Sequence, residues 1–223
     1  GAQALSEALP GNTKLAELIL RGNRLDDRAA LQLGAAVGGN NSLTRLDLSY
    51  NHFGEEAGTA FGEMLAGNGS LLELNLRWNG LGKKGAAAVA DGLRTNFILN
   101  RIDLAWNGLG DEGCGALSEV LGENGALTHL DISHNRIQMD GALALAEGIE
   151  KNSSLLNIEL GFNPMGMTQA KPDQQDLTGL DQVVEAIRKK CVKDDFEMRG
   201  TVGLTEVHEG ASVTRGRASR FDP

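Results

Sequence analysis

The feature that most constrains this chain is a 28-residue repeat. A Leu-x-x-Leu-x-Leu sequence, with Ile at some of the leucine positions, precedes an asparagine in six successive copies. These asparagines are Asn23, Asn51, Asn79, Asn107, Asn135 and Asn163, and after each of them, at the second position, come Leu25, Phe53, Leu81, Leu109, Ile137 and Met165. Copies that keep one register predict a repeat protein whose units stack to bury a continuous core.

After each asparagine the apolar spacing changes from the period of a strand to that of a helix. The predicted helical pairs are Leu33/Val37, Phe61/Leu65, Val89/Leu93, Leu117/Leu121 and Leu145/Ile149. A second asparagine series follows the helices, at Asn12, Asn40, Asn68, Asn96, Asn124 and Asn152. We expect it to end them in the left-handed conformation that Asn tolerates. The first series is expected to turn its amides inward, onto backbone groups that the turn leaves unpaired.

The predicted fold is an α/β leucine-rich repeat solenoid, a horseshoe arc with a parallel sheet on the concave side and helices on the convex side. A 28-residue unit with a full helix resembles the ribonuclease-inhibitor-like subfamily of leucine-rich repeats. The resemblance covers residues 1–190 and is carried most clearly by Leu46–Phe53, Leu104–Asn107 and Glu159–Met165. It implies a non-enzymatic interaction scaffold and, for this branch of the subfamily, an association with cilia or flagella.

The pattern divides the chain into three parts. Residues 1–165 carry the repeats, with a partial first repeat at 1–12 that starts at its helix, so we expect an earlier part of a longer protein to precede Gly1. Residues 166–200 are predicted to form an inserted loop containing Pro172, followed by a degenerate C-terminal capping repeat. Residues 201–223 are predicted to be a tail, either disordered or docked on a partner.

The capping repeat is predicted from a helical face and a shifted alignment. The face consists of Leu177, Leu180, Val183, Val184 and Ile187. An alignment lengthened beyond the regular repeat places Phe196 at the position of Ile158 and Met198 at the position of Leu160.

Composition excludes several classes of function. The formal net charge of -9 argues against general affinity for nucleic acid or for an anionic membrane surface. There is no apolar run of about 18 residues and no signal peptide, so a cytoplasmic protein is expected. Cys114 and Cys191 form no framework of disulfides, which favours a reduced compartment.

Two motifs that look chemical are explained by the repeat. Gly80-x-Gly82-x-x-Gly85 has the spacing of a dinucleotide-binding loop, but the same glycines recur in the equivalent part of the next unit. His129 and Asp131 would share the concave face, but they lack enough further ligands to close a metal site. No P-loop, Ser-His-Asp or Cys-His arrangement is present, so we predict no catalytic residue, cofactor or metal.

Three columns of side chains line the predicted concave face, about one strand spacing apart. The first is Glu17, Arg45, Glu73, Arg101, His129 and Asn157, whose first four members should pair with one another. The second is Ile19, Asp47, Asn75, Asp103, Asp131 and Glu159. Arg45, Arg77 and Arg101 should reach Asp47 and Asp103, which leaves Asp131 and Glu159 negative. The third is Gly22, Tyr50, Trp78, Trp106, His134 and Phe162.

Aromatic rings beside an acidic strip are typical of an interface hot spot. The predicted partner-binding residues are therefore Tyr50, Trp78, Asp103, Trp106, Asp131, His134, Glu159 and Phe162. The expected partner is a protein segment that is basic and partly apolar, within a larger complex.

Two other functions remain open. One is a Ran-type GTPase-activating protein, in which a turn arginine such as Arg24 or Arg136 would approach the nucleotide. The other is the sensing region of an innate immune receptor.

Overall fold

A computed structural model describes residues 1–165, 181–186 and 189, and the backbone of strands at 167–168, 171–175 and 197–199. Six helices alternate with short strands along the repeats. The helices are α1 (Ala2–Ala8), α2 (Asp27–Gly38), α3 (Glu55–Gly67), α4 (Gly82–Thr95), α5 (Gly110–Leu121) and α6 (Met139–Lys151). The strands are β1 (Glu17–Ile19), β2 (Arg45–Asp47), β3 (Glu73–Asn75), β4 (Arg101–Asp103), β5 (His129–Asp131) and β6 (Asn157–Glu159).

The strands β1 to β6 form one open parallel sheet in chain order. Each residue lies opposite its equivalent in the next repeat, so that Leu46 pairs with Leu74 and Leu74 with Ile102. The three columns expected from the sequence are therefore real neighbours in space. The helices cover the other face of the sheet, and the chain is the predicted leucine-rich repeat solenoid.

The core lies between the sheet and the helices and is almost entirely aliphatic. The middle residue of strands β2 to β6 is buried in each case, and so are both members of all five predicted helical pairs. Two aromatic side chains join this core, Phe53 and Phe61, with ring centroids 5.1 Å apart and planes at 86°. Each such side chain, taken out of water, contributes roughly 1.5–3 kcal/mol.

The first asparagine series takes the inward orientation that was predicted. Asn107 is one example: its Nδ2 donates to the carbonyls of Leu76 and Leu104 at 2.9 and 3.0 Å. Its own backbone N–H donates to Oδ1 of Asn135, the equivalent residue of the next repeat, at 2.8 Å. From Asn51 onward, these asparagines link successive turns, because the side chain of each donates to a carbonyl of the preceding repeat. The side chain of Asn23 donates instead to carbonyls of its own repeat.

The second asparagine series ends the helices by a different mechanism from the one predicted. Asn68, Asn96 and Asn152 have φ between -93° and -71° and extended ψ, not the left-handed conformation. Their side chains provide the cap. Asn96 donates to the carbonyls of Leu65 and Asn68 in the preceding repeat, and accepts from the N–H groups of Ile98 and Leu99. The expectation of a left-handed residue was wrong because the amide, by bonding four backbone groups, makes that conformation unnecessary.

Helices α3 and α4 approach each other closely at glycines. A Cβ added at Gly58 would overlap the backbone of Gly85, and one at Gly92 would overlap the backbone of Gly62. The absence of side chains at these positions therefore sets the distance between the two helices.

The C-terminal part departs from the sequence expectations in two ways. The region interpreted as an inserted loop contains an antiparallel pair, β7 (Met167–Thr168) with β8 (Lys171–Gln175). Pro172, which has no N–H to donate, falls between the two paired positions. A further strand, β9 (Glu197–Arg199), pairs parallel with β6 and places Ile158 opposite Met198. The expected alignment of Ile158 with Phe196 was therefore wrong, because the strand lies slightly later in the chain.

Between β8 and β9, residues 181–186 are helical, with Val183 buried and Val184 half-buried. The other members of the predicted helical face, Leu177, Leu180 and Ile187, lie outside the described residues, as do Cys191 and the tail at 201–223. Cys114 is buried, and its thiol donates to the carbonyl of Gly141 at 3.4 Å. Across the described ranges, each helix is too short or too polar to cross a lipid bilayer.

Candidate functional site

The third column forms a continuous stack of rings along the concave face, which we call the aromatic ladder: Tyr50, Trp78, Trp106, His134 and Phe162. Successive ring centroids are 5.6, 4.4, 4.0 and 4.2 Å apart. Three of the four ring pairs are stacked with planes within 14° of each other, and the two indoles are tilted by 39°. At the N-terminal end the guanidinium of Arg21 lies 4.4 Å from the centroid of the Tyr50 ring.

Every ladder residue has a left-handed backbone, with φ between 53° and 59°. This conformation is unusual for bulky residues and costs of order 1 kcal/mol or more at each position. The turn is held by bonds to the next repeat, since the N–H of Trp78 donates to the carbonyl of Ala105 at 2.8 Å and that of Trp106 to Ser133 at 3.1 Å. Gly22 takes the same place in the first repeat, with φ 71° and no strain.

The ladder rings are exposed although the core contains almost no aromatic residue. Trp78 is 45% exposed, Trp106 38% and Phe162 71%. Packing within the fold therefore does not account for the choice of aromatic residues in this column. The rings remain accessible to a partner.

Acidic residues of the second column have a structural role that sequence reasoning missed. Oδ1 of Asp103 accepts from the N–H of Ala105 at 2.9 Å, and Oδ1 of Asp131 accepts from Ser133 at 2.8 Å. Asn75 makes the same contact to Arg77 at 2.9 Å with an amide oxygen. The shared feature is a short side-chain oxygen that caps the N–H two positions further along the chain. The recurrence of Asp or Asn at this place in successive repeats was the available signal.

The position of Arg77 changes the charge that was expected for the second column. Its Nη1 lies 3.3 Å from Oδ2 of Asp131 and 3.8 Å from Oδ2 of Asp103. The prediction that no arginine reaches Asp131 was wrong, because the guanidinium spans two repeat spacings along the groove. Glu159, the next acidic residue, lies opposite Arg199 in the strand register. Asp131 therefore shares one cation with Asp103, which the sequence did not predict.

Asp103 is the titratable group most perturbed in the groove. Burial, together with the negative charge of Asp131, raises its pKa to about 7, while its bond from Ala105 and the nearby Arg77 act in the opposite direction. Its side chain is 15% exposed. The carboxyl group of Asp103 therefore holds its proton to a higher pH than an exposed aspartate does.

The first column is paired in part. Arg45 binds Glu17 at 2.8 Å and Glu73 at 3.1 Å, as the alternating signs predicted. Because its guanidinium bridges these two glutamates, Arg45 does not form the ion pair with Asp47 that the sequence predicted. Arg101 forms no ion pair with any of the described residues, so the predicted pairing fails at the fourth member.

A shallow depression of about 400 Å³ adjoins the C-terminal half of the ladder. It is lined by Trp106, His134, Phe162 and the exposed Arg136, together with asparagines and glycines of the turns. Burial between the neighbouring rings, with a further contribution from Arg77, lowers the pKa of His134 below its usual range. Arg136 has φ 60° and makes no ion pair within the part of the chain that the structure describes.

The predicted site residues thus fall into two groups. The structure brings Tyr50, Trp78, Trp106, His134 and Phe162 into one surface. Asp103 and Asp131 are largely committed to the fold, and Glu159 continues their column. Arg77 was not among the predicted partner-binding residues, because the reach of its long side chain along the groove is not visible in sequence. Arg136 was named in the sequence only as a turn arginine for the GTPase-activating alternative.

Comparison with known proteins agrees with this architecture. Residues 39–62, 67–90, 95–118 and 126–146 match the family model described as Leucine Rich repeat. The tropomodulin C-terminal domain of Caenorhabditis elegans superimposes with a TM-score of 0.57 at 17% identity, covering 67% of this chain and 92% of that one. Leiomodin-1 actin-binding site 2 superimposes with a TM-score of 0.47 at 17% identity, covering 84% and 90%. No curated protein matches the sequence. The likeness to the tropomodulin domain is one of fold.

Proposed function

We propose that this chain, which folds as a leucine-rich repeat solenoid, is a non-enzymatic scaffold that holds a protein partner on its concave face. The aromatic ladder carries this proposal. Four exposed aromatic rings in one row, with the half-buried His134 stacked among them, are more than the fold requires in a chain whose aromatic content is only 4%.

Two physical arguments support the ladder as the contact surface. Trp and Tyr are enriched among the residues that contribute most to protein interfaces, because each buries a large, rigid surface. The left-handed backbone of each ladder residue also costs free energy that a glycine, as at Gly22, would save. Strain of this kind is often retained where a side chain serves binding.

The finer proposal is a subunit of a larger cytoplasmic assembly, within the axoneme of a cilium or flagellum. It is supported by the resemblance of Leu46–Phe53, Leu104–Asn107 and Glu159–Met165 to leucine-rich repeat-containing protein 74 and its relatives.

The test is affinity capture from a ciliated-cell extract, with mass spectrometry, using wild type and a ladder variant. The ladder variant is Trp78→Asn/Trp106→Asn/Phe162→Asn, because Asn tolerates the left-handed conformation. The matched control is Leu31→Asn/Phe97→Asn, which replaces two exposed apolar side chains outside the ladder. We expect a defined set of axonemal proteins to be lost with the ladder variant and retained by the control.

Other outcomes would contradict the proposal. If both variants return the same partners as wild type, the ladder is not the binding surface. Capture of a small GTPase alone, together with faster GTP hydrolysis by Ran when the protein is added, would favour the GTPase-activating function. Binding of a microbial ligand would favour the immune-receptor hypothesis.

A further inference from the structure

We infer that the partner segment is acidic, with Asp or Glu carboxylates binding Arg136 and apolar side chains packing on the ladder. This inference rests on the proposed function, because it specifies the partner of the same face. It replaces the basic segment expected from sequence.

The geometry of the ladder determines which part of each ring a partner meets. Trp78 lies between Tyr50 and Trp106, and His134 lies between Trp106 and Phe162, so the faces of the inner rings are covered by one another. Their exposed parts are therefore ring edges. The edge of an aromatic ring is the positive part of its quadrupole and the face is the negative part.

A partner cation would thus find the faces of the inner rings covered. Phe162, the last ring, is 71% exposed, but it lines the same depression as the cationic Arg136. The outer face of Tyr50, at the N-terminal end, is already taken by Arg21. Along the inner rungs a lysine or arginine would approach positive ring edges. A carboxylate or a backbone carbonyl oxygen suits those edges better.

The hydrogen-bonding groups next to the ladder are mainly donors. Among the described residues, neither the indole N–H of Trp78 nor that of Trp106 has an acceptor, and neither Arg101 nor Arg136 has an ionic partner. Asp131, in the neighbouring column, already has partners for both of its oxygens. Asp131 accepts from Ser133 with Oδ1 and from Arg77 with Oδ2. An incoming segment that displaces water from these donors must supply acceptors in its place.

The depression beside the ladder brings these requirements together. Arg136 lines it with Trp106, His134 and Phe162. A guanidinium can bind a carboxylate through two parallel hydrogen bonds. An apolar side chain on the same segment would cover the edges of Trp106 and Phe162.

The experiment is a selection from a random library of short displayed peptides on the wild-type protein. Enriched peptides are then synthesised and their binding is measured by fluorescence polarisation. We expect peptides rich in Asp or Glu with apolar residues, and about tenfold weaker binding to Arg136→Gln. The matched control is Arg24→Gln, because Arg24 occupies the same turn position with φ 55° but lies in a repeat whose ladder position is Gly22. The control should bind as wild type does.

The inference is overturned if the enriched peptides are basic, if no charge class is enriched, or if Arg136→Gln binds as tightly as Arg24→Gln. The ladder variant separates this failure from that of the proposed function. Basic peptides that the ladder variant no longer binds would leave the concave-face scaffold intact and reject only the acidic partner. Peptides that bind the ladder variant as well as wild type would reject both.

Discussion

Arg77 and Asp131 form an ion pair across two repeats, with Nη1 of the arginine 3.3 Å from Oδ2 of the aspartate. Arg77 follows strand β3 and Asp131 ends β5, so the guanidinium passes along the intervening Asp103, 3.8 Å away. One side chain thus links three consecutive units in a solenoid whose helices and strands contact their nearest neighbours.

Replacing Arg77 should leave the carboxylates of Asp103 and Asp131 without their shared cation. We expect Arg77→Gln to lower the free energy of unfolding by about 1–3 kcal/mol at pH 8, because two part-buried charges lose their partner. Urea unfolding measures the loss. The same substitution should cost far less when Asp103 and Asp131 are both Asn, and an equal loss in both backgrounds would show that the arginine acts through packing alone.

Asp103 should make stability depend on pH. Its folded pKa of about 7 lies above the ordinary 3.8, so between these values the folded state binds the proton more tightly than the unfolded state. The favourable contribution is complete below the ordinary pKa and is lost as pH rises through 7. Asp103→Asn, which keeps an oxygen for the Ala105 N–H as Asn75 does for Arg77, should be more stable than wild type at pH 8 by roughly 1–2 kcal/mol.

The difference between Asp103→Asn and wild type should shrink steadily as the pH is lowered below 7, and it should approach zero only near the ordinary pKa of 3.8. Urea unfolding between pH 5 and 8 tests this. A difference that stays constant with pH would mean that the carboxyl group titrates normally in the folded protein.

The side-chain caps at the helix ends should be worth several hydrogen bonds each. Asn96→Ala leaves two carbonyls and two N–H groups without their partner at a buried position, so we expect a loss of about 3 kcal/mol or more. Asn12→Ala is the matched control, because Asn12 is exposed and its side chain caps only the N–H groups of Lys14 and Leu15. Thermal unfolding compares the two, and equal losses would contradict the account.

The close approach of α3 and α4 predicts opposite effects for two Gly→Ala substitutions. Gly58→Ala should destabilise the fold by about 2 kcal/mol or more, because the new Cβ meets the backbone of Gly85. Gly115→Ala, in α5, should stabilise by about 0.5–1 kcal/mol, since a Cβ there has nothing within 4 Å. Chemical denaturation of both variants checks the contrast. A tolerated Gly58→Ala would show that the two helices can separate without cost.

Sequence periodicity determined the strands, the helices, the core and the columns of the concave face. It could do so because a repeat makes each position report on the same environment several times. One alignment of the repeats shows that the same strand position, which faces the core, is occupied by Leu46, Leu74 and Ile102. The aromatic column was likewise predictable, since Trp78 and Trp106 occupy equivalent positions.

The tertiary structure alone decided which hydrogen-bond and ion-pair partners the individual polar side chains have. Periodicity gives the column in which Asp131 lies and the turn that carries Arg77, but only the arrangement in space shows that a long guanidinium reaches past the nearest acid. It also decided that Asn96 caps its helix through the amide, and that the ladder rings cover each other's faces. These outcomes depend on distances of a few ångströms and on side-chain orientation, to which the spacing of residues along a chain is insensitive.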